Sequence, residues 1–399
     1  MRHSRPRRWA LACALVTLVA HPLLVAAPAA ATQSWSVPRS AWITVKGHGY
    51  GHGHGMSQYG AEGAARQGLG FRQIAEFYYP GTSWGETRGW MHVVISADTT
   101  DDLVVLARNG LRMRDTGTGV TTRLPDNGAT RWRIARNRAG VERVWYRTDR
   151  WRAWRTLEGE GGFWAGRKPV TLVTPSGNRP YRGRLWSAAP SPGSAARNTV
   201  NALPLENYLK GVVPLEMPAS WSPAAVQAQA VAARTYAAYE RDHRSGPICD
   251  TTSCQVYGGY AAEHPASNAA IDATRRLTLM YDGEAAFTQF GSSSGGWTSV
   301  GSRPYLTAKR DPYDGWAGNP VHDWSVRFTD RRFESAFPAI GNLTRVRVNR
   351  RDGNGEWGGR VQSLTLVGSR ANRTISGDTL RSVLGLRSTW VTFVVKPRG

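Results

Sequence analysis

Apolar residues recur at helical spacing along Pro223–Arg241, where Val226, Ala230, Ala233 and Ala237 fall on one face. Ser222 stands at the N-cap position and Pro223 at the first helical position. Eight of those nineteen residues are Ala, a face that lets another backbone come close. Gln227, Gln229 and Arg234 then become polar groups on a tightly packed helix. A shorter helix is expected at Gly377–Leu384. Elsewhere the period is two. Strands are predicted at Met91–Ser96, Leu103–Ala107, Arg131–Ala135, Val144–Arg147 and Val170–Thr174, and again at Thr344–Val348 and Val361–Leu366. No internal repeat is found. The fold class expected is α+β, a mixed helix and strand core with a β-rich inserted domain.

The first residues have a different texture. Arg2, Arg5, Arg7 and Arg8 precede a mostly apolar run, Trp9–Val25, broken by His21-Pro22 and followed by Ala29-Ala30-Ala31. This reads as a signal peptide, residues 1–31, cut after Ala31. An uncleaved anchor helix is the alternative, and His21-Pro22 argues against it. No later run reaches the ~18 apolar residues that a spanning helix needs, so no transmembrane anchor is expected after cleavage. The rest divides into 32–90 with a glycine–histidine run, 91–173 as a β-rich insert, and 174–399 as the main core.

The chain has 399 residues, 51 Lys+Arg against 29 Asp+Glu, and a formal charge of +22. A secreted protein this basic has an anionic partner or surface nearby, and outside the cell anionic cell-wall polymers fit better than nucleic acid. The basic excess is concentrated. From Leu103 to Arg155 there are 13 Arg and 4 acids, with Trp132, Trp145, Trp151 and Trp154 interleaved. No nucleic-acid motif accompanies them. Aromatic faces also stack on sugar rings and arginines pair with phosphates or carboxylates. Either the insert binds the wall, or these are core Trp residues and a solvated basic face.

One carboxylate stands out. Val212-Val213-Pro214-Leu215-Glu216-Met217-Pro218 places Glu216 in an apolar run between two prolines. Burial raises a carboxyl pKa, as a general acid near neutral pH requires. The alternatives are a Glu216 that turns outward or one that caps the following helix.

These residues also carry a resemblance. Leu203-Pro204-Leu205-Glu206-Asn207-Tyr208-Leu209-Lys210-Gly211 runs into the Glu216 segment, and Ala228-Gln229-Ala230-Val231-Ala232-Ala233-Arg234-Thr235-Tyr236 follows it. With Cys254-Gln255-Val256-Tyr257-Gly258-Gly259, Ser292-Ser293-Ser294-Gly295-Gly296 and Gly55-Met56-Ser57-Gln58-Tyr59-Gly60-Ala61, the chain resembles the SpoIID/LytB family over roughly 175–399 and 44–82. The resemblance implies a lytic transglycosylase acting on peptidoglycan glycan strands that lack stem peptides. Such an enzyme cleaves the MurNAc–GlcNAc bond and leaves 1,6-anhydro-MurNAc ends. It implies Glu216 as the catalytic residue and no required cofactor. Ordinary glycosidases use two carboxylates. Glu206 is the other acid nearby, and its Leu-Glu-Asn-Tyr-Leu setting reads as structural. Gln229, Arg234, Gln255, Tyr257, Ser292, Ser293 and Ser294 become candidates for substrate binding. LytB-like members imply the rival class, a non-catalytic wall-binding modifier of a wall amidase.

His48-Gly49-Tyr50-Gly51-His52-Gly53-His54-Gly55 invites a metal reading, because His52 and His54 would share one face of a strand. The competing reading is a strand whose glycines let a backbone or a sugar approach, with His54, Ser57 and Gln58 lining the groove. In most family members this block follows a Leu-Arg-Ser-x-x-Phe segment near the C-terminus. Here that segment is Leu386–Phe393 and the block lies near the N-terminus. A permuted core would pack 44–82 beside 385–396, close to Glu216. Cys249 and Cys254 are expected to form a disulfide outside the cell. Some family members hold zinc with Cys and His in this segment, so a structural zinc on His243, Cys249 and Cys254 is the alternative.

Overall fold

The computed structural model describes residues 33–137 and 139–399. The expected signal peptide, and Cys13 with it, lies outside them. The alternating segments fold into two stacked layers, antiparallel except where the edge strand Ile248–Cys249 runs parallel to Trp90–Val94. One sheet has seven strands, in the order Ile248–Cys249, Trp90–Val94, Asn198–Pro204, Arg184–Ala188, Gly161–Trp164, Arg112–Asp115 and Thr121–Arg123. The other has six, in the order Trp151–Thr156, Glu142–Arg147, Arg131–Arg136, Asp102–Leu106, Val170–Thr174 and Gly177–Tyr181. Inward side chains alternate with outward ones. Met113, Phe163 and Leu185 from one layer and Leu103, Val105 and Ile134 from the other are buried in one cluster.

The expected boundary at 173/174 falls inside this unit. Val170–Thr174 forms a hairpin with Gly177–Tyr181. Asn198–Pro204 lies hydrogen-bonded beside Trp90–Val94. The β-rich unit therefore extends to Pro204. Its buried cluster also includes Ala225, Ala230 and Ala233 of the helical part, so insert and core share one hydrophobic interior.

That helical part is built around one long helix. The helices run α1 (Gln58–Arg66), α2 (Phe71–Tyr78), α3 (Leu205–Lys210), α4 (Val213–Glu216), α5 (Pro223–His243) and α6 (Pro265–Ala273). The α5 helix contacts all of the others, and its alanine face permits that approach. It runs one half-turn past the predicted end. Ser222 is the N-cap by position, but its side chain makes no cap bond. Its backbone N–H donates instead to the buried Glu62 carboxylate at 2.8 Å, which also pairs with Arg66.

A second core closes the molecule. Ala41–His48 lies antiparallel between Asp323–Thr329 and Val391–Pro397. Its strict alternation sends Ala41, Ile43 and Val45 inward. A four-stranded sheet and the helices α7 (Asp330–Ala336) and α8 (Gly377–Leu384) complete this cluster. The N-terminal block thus pairs with the C-terminal strand. The Ser388 hydroxyl also donates to the His48 carbonyl at 2.6 Å, and Gly51 N–H to the Arg387 carbonyl at 3.0 Å.

Beyond His48 the expected strand gives way to irregular chain. Gly49, Gly51, Gly53 and Gly55 all have positive φ, which strands do not accommodate. The glycines bring this chain against the segment 289–295. A Cβ on Gly55 would lie 2.0 Å from the Gln289 carbonyl oxygen, and one on Gly49 2.7 Å from that of Ser293. Gly55→Ala should therefore cost about 2–4 kcal/mol in urea denaturation, from left-handed strain plus overpacking. An unchanged midpoint would contradict the close approach.

Candidate active site

Two prolines and a buried apolar pair shape the Glu216 segment. Val213 and Met217 point into the core while Leu215 is exposed. Between them the Glu216 side chain is half-buried at the wall of a cleft of about 280 Å³. One carboxyl oxygen accepts the Val256 N–H at 3.3 Å. The Glu216 backbone carbonyl accepts the Gln58 side-chain amide at 2.8 Å. Burial raises the carboxyl pKa above the ordinary range, and the Val256 N–H offsets this in part.

The cleft is lined by His52, Tyr236, Thr252, Ser253, Cys254, Val256, Gln289 and Phe290 beside Glu216. Among the described residues that line it, Glu216 is the only carboxylate. Tyr236 and Phe290 give it aromatic surface, with ring centroids 6.4 Å apart. Burial, with the charges of Glu240 and Glu216, pushes the Tyr236 hydroxyl up to about 12, so it stays a donor at neutral pH. The His52 ring is kept neutral. Surrounding protein, then His54, Arg360 and Arg381, hold its pKa well below the usual histidine value. Its Nδ1 accepts the His54 N–H at 2.9 Å. A neutral His52 leaves the raised Glu216 pKa undisturbed.

Residues 194–281 match the family model described as SpoIID, Stage II sporulation protein. Glu216, α5 and the Gln255 segment all lie inside that match. The chain thus carries a SpoIID domain in its central part, and homologues named Stage II sporulation protein D and Amidase enhancer support its likeness to the SpoIID/LytB family. It is similar to the protein named Amidase enhancer of Bacillus subtilis (strain 168), with 43% identity over 133 residues, 32% of this chain and 18% of that protein. An uncharacterized protein of Brachyspira hyodysenteriae is 32% identical over 178 residues, 38% of this chain and 48% of that one. Stage II sporulation protein D of Bacillus subtilis is 27% identical over 225 residues, 48% of this chain and 61% of that one. The chain thus spans less than two thirds of each of these relatives.

Within this SpoIID domain, most of the polar residues expected in the groove turn into the body instead. Arg234 has no exposed side-chain surface. Its guanidinium meets Glu206 at 3.0 and 2.9 Å and the Ile271 carbonyl at 3.1 Å. This is the structural role expected of Glu206. Two positions along α5 are about 200° apart, so with Arg234 turned inward Tyr236 reaches the cleft. Gln255 bonds the Ala233 carbonyl and Tyr208, and Tyr257 bonds Asn201 at 2.7 Å. Their neighbours Cys254 and Val256 face the cleft. Gln229 is buried and accepts from Gln58 at 3.4 Å. Gln58 braces the Glu216 backbone rather than lining the groove. His54 stacks on His52 at 4.8 Å, and it is His52 that lines the cleft. Ser292 contributes its carbonyl to Tyr59 N–H.

Cys249 and Cys254 form a disulfide, which leaves no thiolate for zinc. His243 is bonded to the Tyr239 carbonyl and to Glu284. Those three residues do not fit a zinc site. The bridge clips the loop that carries Thr252 and Ser253 to the rim of the cleft.

Ser57, Ser293 and Ser294 serve a buried acidic pair that no periodicity announces. Asp314 accepts from Ser57 at 2.6 Å, Ser293 at 2.7 Å, His322 at 2.7 Å and the Ser294 N–H at 2.9 Å. Burial alone would raise its pKa, but these donors outweigh burial and hold it low. Asp311 accepts from Tyr78 and Ser294. Burial and the charge of Asp314 push Asp311 up to about 6. The native state thus binds that proton more tightly than the unfolded chain does, so this group's contribution to stability falls as pH rises from about 4 to about 6. Relative to Asp311→Asn, the wild type should lose about 1–3 kcal/mol between pH 4 and pH 7, read by urea denaturation. A difference independent of pH would contradict this assignment.

Proposed function

We propose that this chain is a secreted, wall-associated peptidoglycan lytic transglycosylase with Glu216 as its single acid and base. The observation that carries the reading is a lone, half-buried carboxyl of raised pKa at a cleft with aromatic walls. Protonated Glu216 gives its proton to the glycosidic oxygen as the MurNAc C1–O bond breaks. The resulting carboxylate takes the proton of the same sugar's C6 hydroxyl while that oxygen bonds to C1. The 1,6-anhydro ring closes, and Glu216 ends protonated as it began. The nucleophile is part of the substrate, so proximity replaces an activated water and the second carboxylate that would activate it. The Tyr236 hydroxyl and the faces of Tyr236 and Phe290 orient the sugar. Gln58 and Val256 fix the acid at the backbone and at the carboxyl.

Glu216→Gln keeps the shape and removes the proton. It should lower release of anhydro-MurNAc ends from stem-free glycan by about 10²–10⁴-fold, read by mass spectrometry, with glycan binding retained. Wild-type rates in this variant would end the assignment. The similarity to the protein named Amidase enhancer favours a second reading, a wall-binding protein that stimulates a wall amidase. In that case Glu216→Gln would stimulate a purified amidase as well as the wild type does, and neither would release anhydro ends.

A further inference from the structure

The outer face of the seven-stranded sheet carries arginine and tryptophan in register. Arg112 stands directly opposite Trp164, and Trp164 directly opposite Arg184. Cross-strand partners share a face, so the three form one row. Both guanidiniums lie against the Trp164 ring, at 5.2 and 5.3 Å from its centroid. Arg184 also lies 5.0 Å from the ring of Trp90, which is 43% exposed. The same row continues through Ala202 to His92. His92 opens onto a hollow of about 340 Å³ with Arg241 and Arg244 on its wall. Next to it runs Ile248–Cys249, the edge strand that leads into the disulfide loop at the cleft.

We infer that this face binds glycan strands that carry free carboxylates, that is, strands from which the stem peptides have been removed. The inference rests on glycan as the polymer of the proposed function, but not on its cleavage. Hydrolysis of the amide that joins a stem peptide to muramic acid exposes a carboxylate on every second sugar. A polymer of this kind alternates flat sugar faces with anions. The row alternates indole with guanidinium, and Arg112 and Arg184 are two strands apart, roughly 10 Å. Tryptophan supplies the stacking surface and arginine the bidentate donor for a carboxylate. The guanidiniums already stacked on indole are held in place before the ligand arrives. In intact strands the lactyl groups are amides, so the charge beside the sugar ring is lost and the carboxylates that remain are those of the stem peptides, away from the sugar faces. On this account a preference for stem-free glycan resides in the β-rich unit and not only in the cleft.

The test uses the full chain carrying Glu216→Gln, so that bound glycan is not consumed if the cleavage reading holds. Binding is measured to stem-free glycan oligomers, to the same oligomers with their carboxylates converted to methylamides, to a polyglycerol-phosphate polymer and to single-stranded DNA. The free-carboxylate oligomer should bind at least about 10-fold more tightly than the methylamide. Arg112→Gln combined with Trp164→Ala should remove most of that difference, and Arg112→Gln alone, at an exposed position, should remove about 3–10-fold. Equal affinity for the methylamide, tighter binding to the phosphate polymer or to DNA, or unchanged affinity in the face variants would each overturn the inference. Loss of cleavage in Glu216→Gln bears on the proposed reaction alone, and these binding arms bear on the face alone.

Discussion

The site depends on how tightly one short segment is held. Glu216 is fixed at its carbonyl by Gln58 and at its carboxyl by the Val256 N–H, and these partners come from distant parts of the chain. The two contacts leave the carboxyl half-buried with a single backbone donor. That environment is poor in charge stabilisation, which is why the proton is held above the ordinary range. An arginine in the cleft would reverse the effect. Arg234 of α5 is turned into the body and neutralised by Glu206, and His52 is kept uncharged. The electrostatics of the cleft come as much from what is excluded as from what lines it.

The bracing behind that segment is polar and deeply buried. Asp314 gathers Ser57, Ser293, His322 and two backbone N–H groups from separate stretches of chain. Ser57 in turn caps α1, the helix that begins with Gln58. A change at Asp314 would therefore reach Glu216 through the cap and the glutamine. Loss of such a buried, fully bonded charge leaves several donors unsatisfied at once. The glycine run is the other brace. Its positive φ values allow it to lie on the 289–295 backbone, so one wall of the cleft meets the other without intervening side chains.

Much of this was legible in advance, and the failures have a common cause. The apolar frame of Pro214-Leu215-Glu216-Met217-Pro218 marked the acid. Helical period placed α5, and period two placed most strands of the β-rich unit. What sequence could not tell was the phase of a motif relative to the cleft. Arg234 and Tyr236 sit in one motif, as do Gln255 and Val256, and only packing decides which of each faces the cleft. Polar residues in such blocks were expected in the groove, but burial with a partner satisfies them equally well. Asp311, Asp314 and His322 lie in irregular chain with no period to read, and their partners are more than two hundred residues away in the case of Tyr78 and Ser57. The 173/174 boundary failed for a similar reason, because the pairing of Asn198–Pro204 with Trp90–Val94 is non-local.

An enzyme whose nucleophile is the sugar's own hydroxyl has no use for solvent oxygen. Digestion of stem-free glycan in H₂¹⁸O, followed by mass spectrometry of the new ends, asks this directly. The account predicts ends that carry no ¹⁸O and are lighter than a hydrolytic end by one water. Reducing ends labelled with ¹⁸O would mean that water is the nucleophile, and the single-carboxyl mechanism would be contradicted.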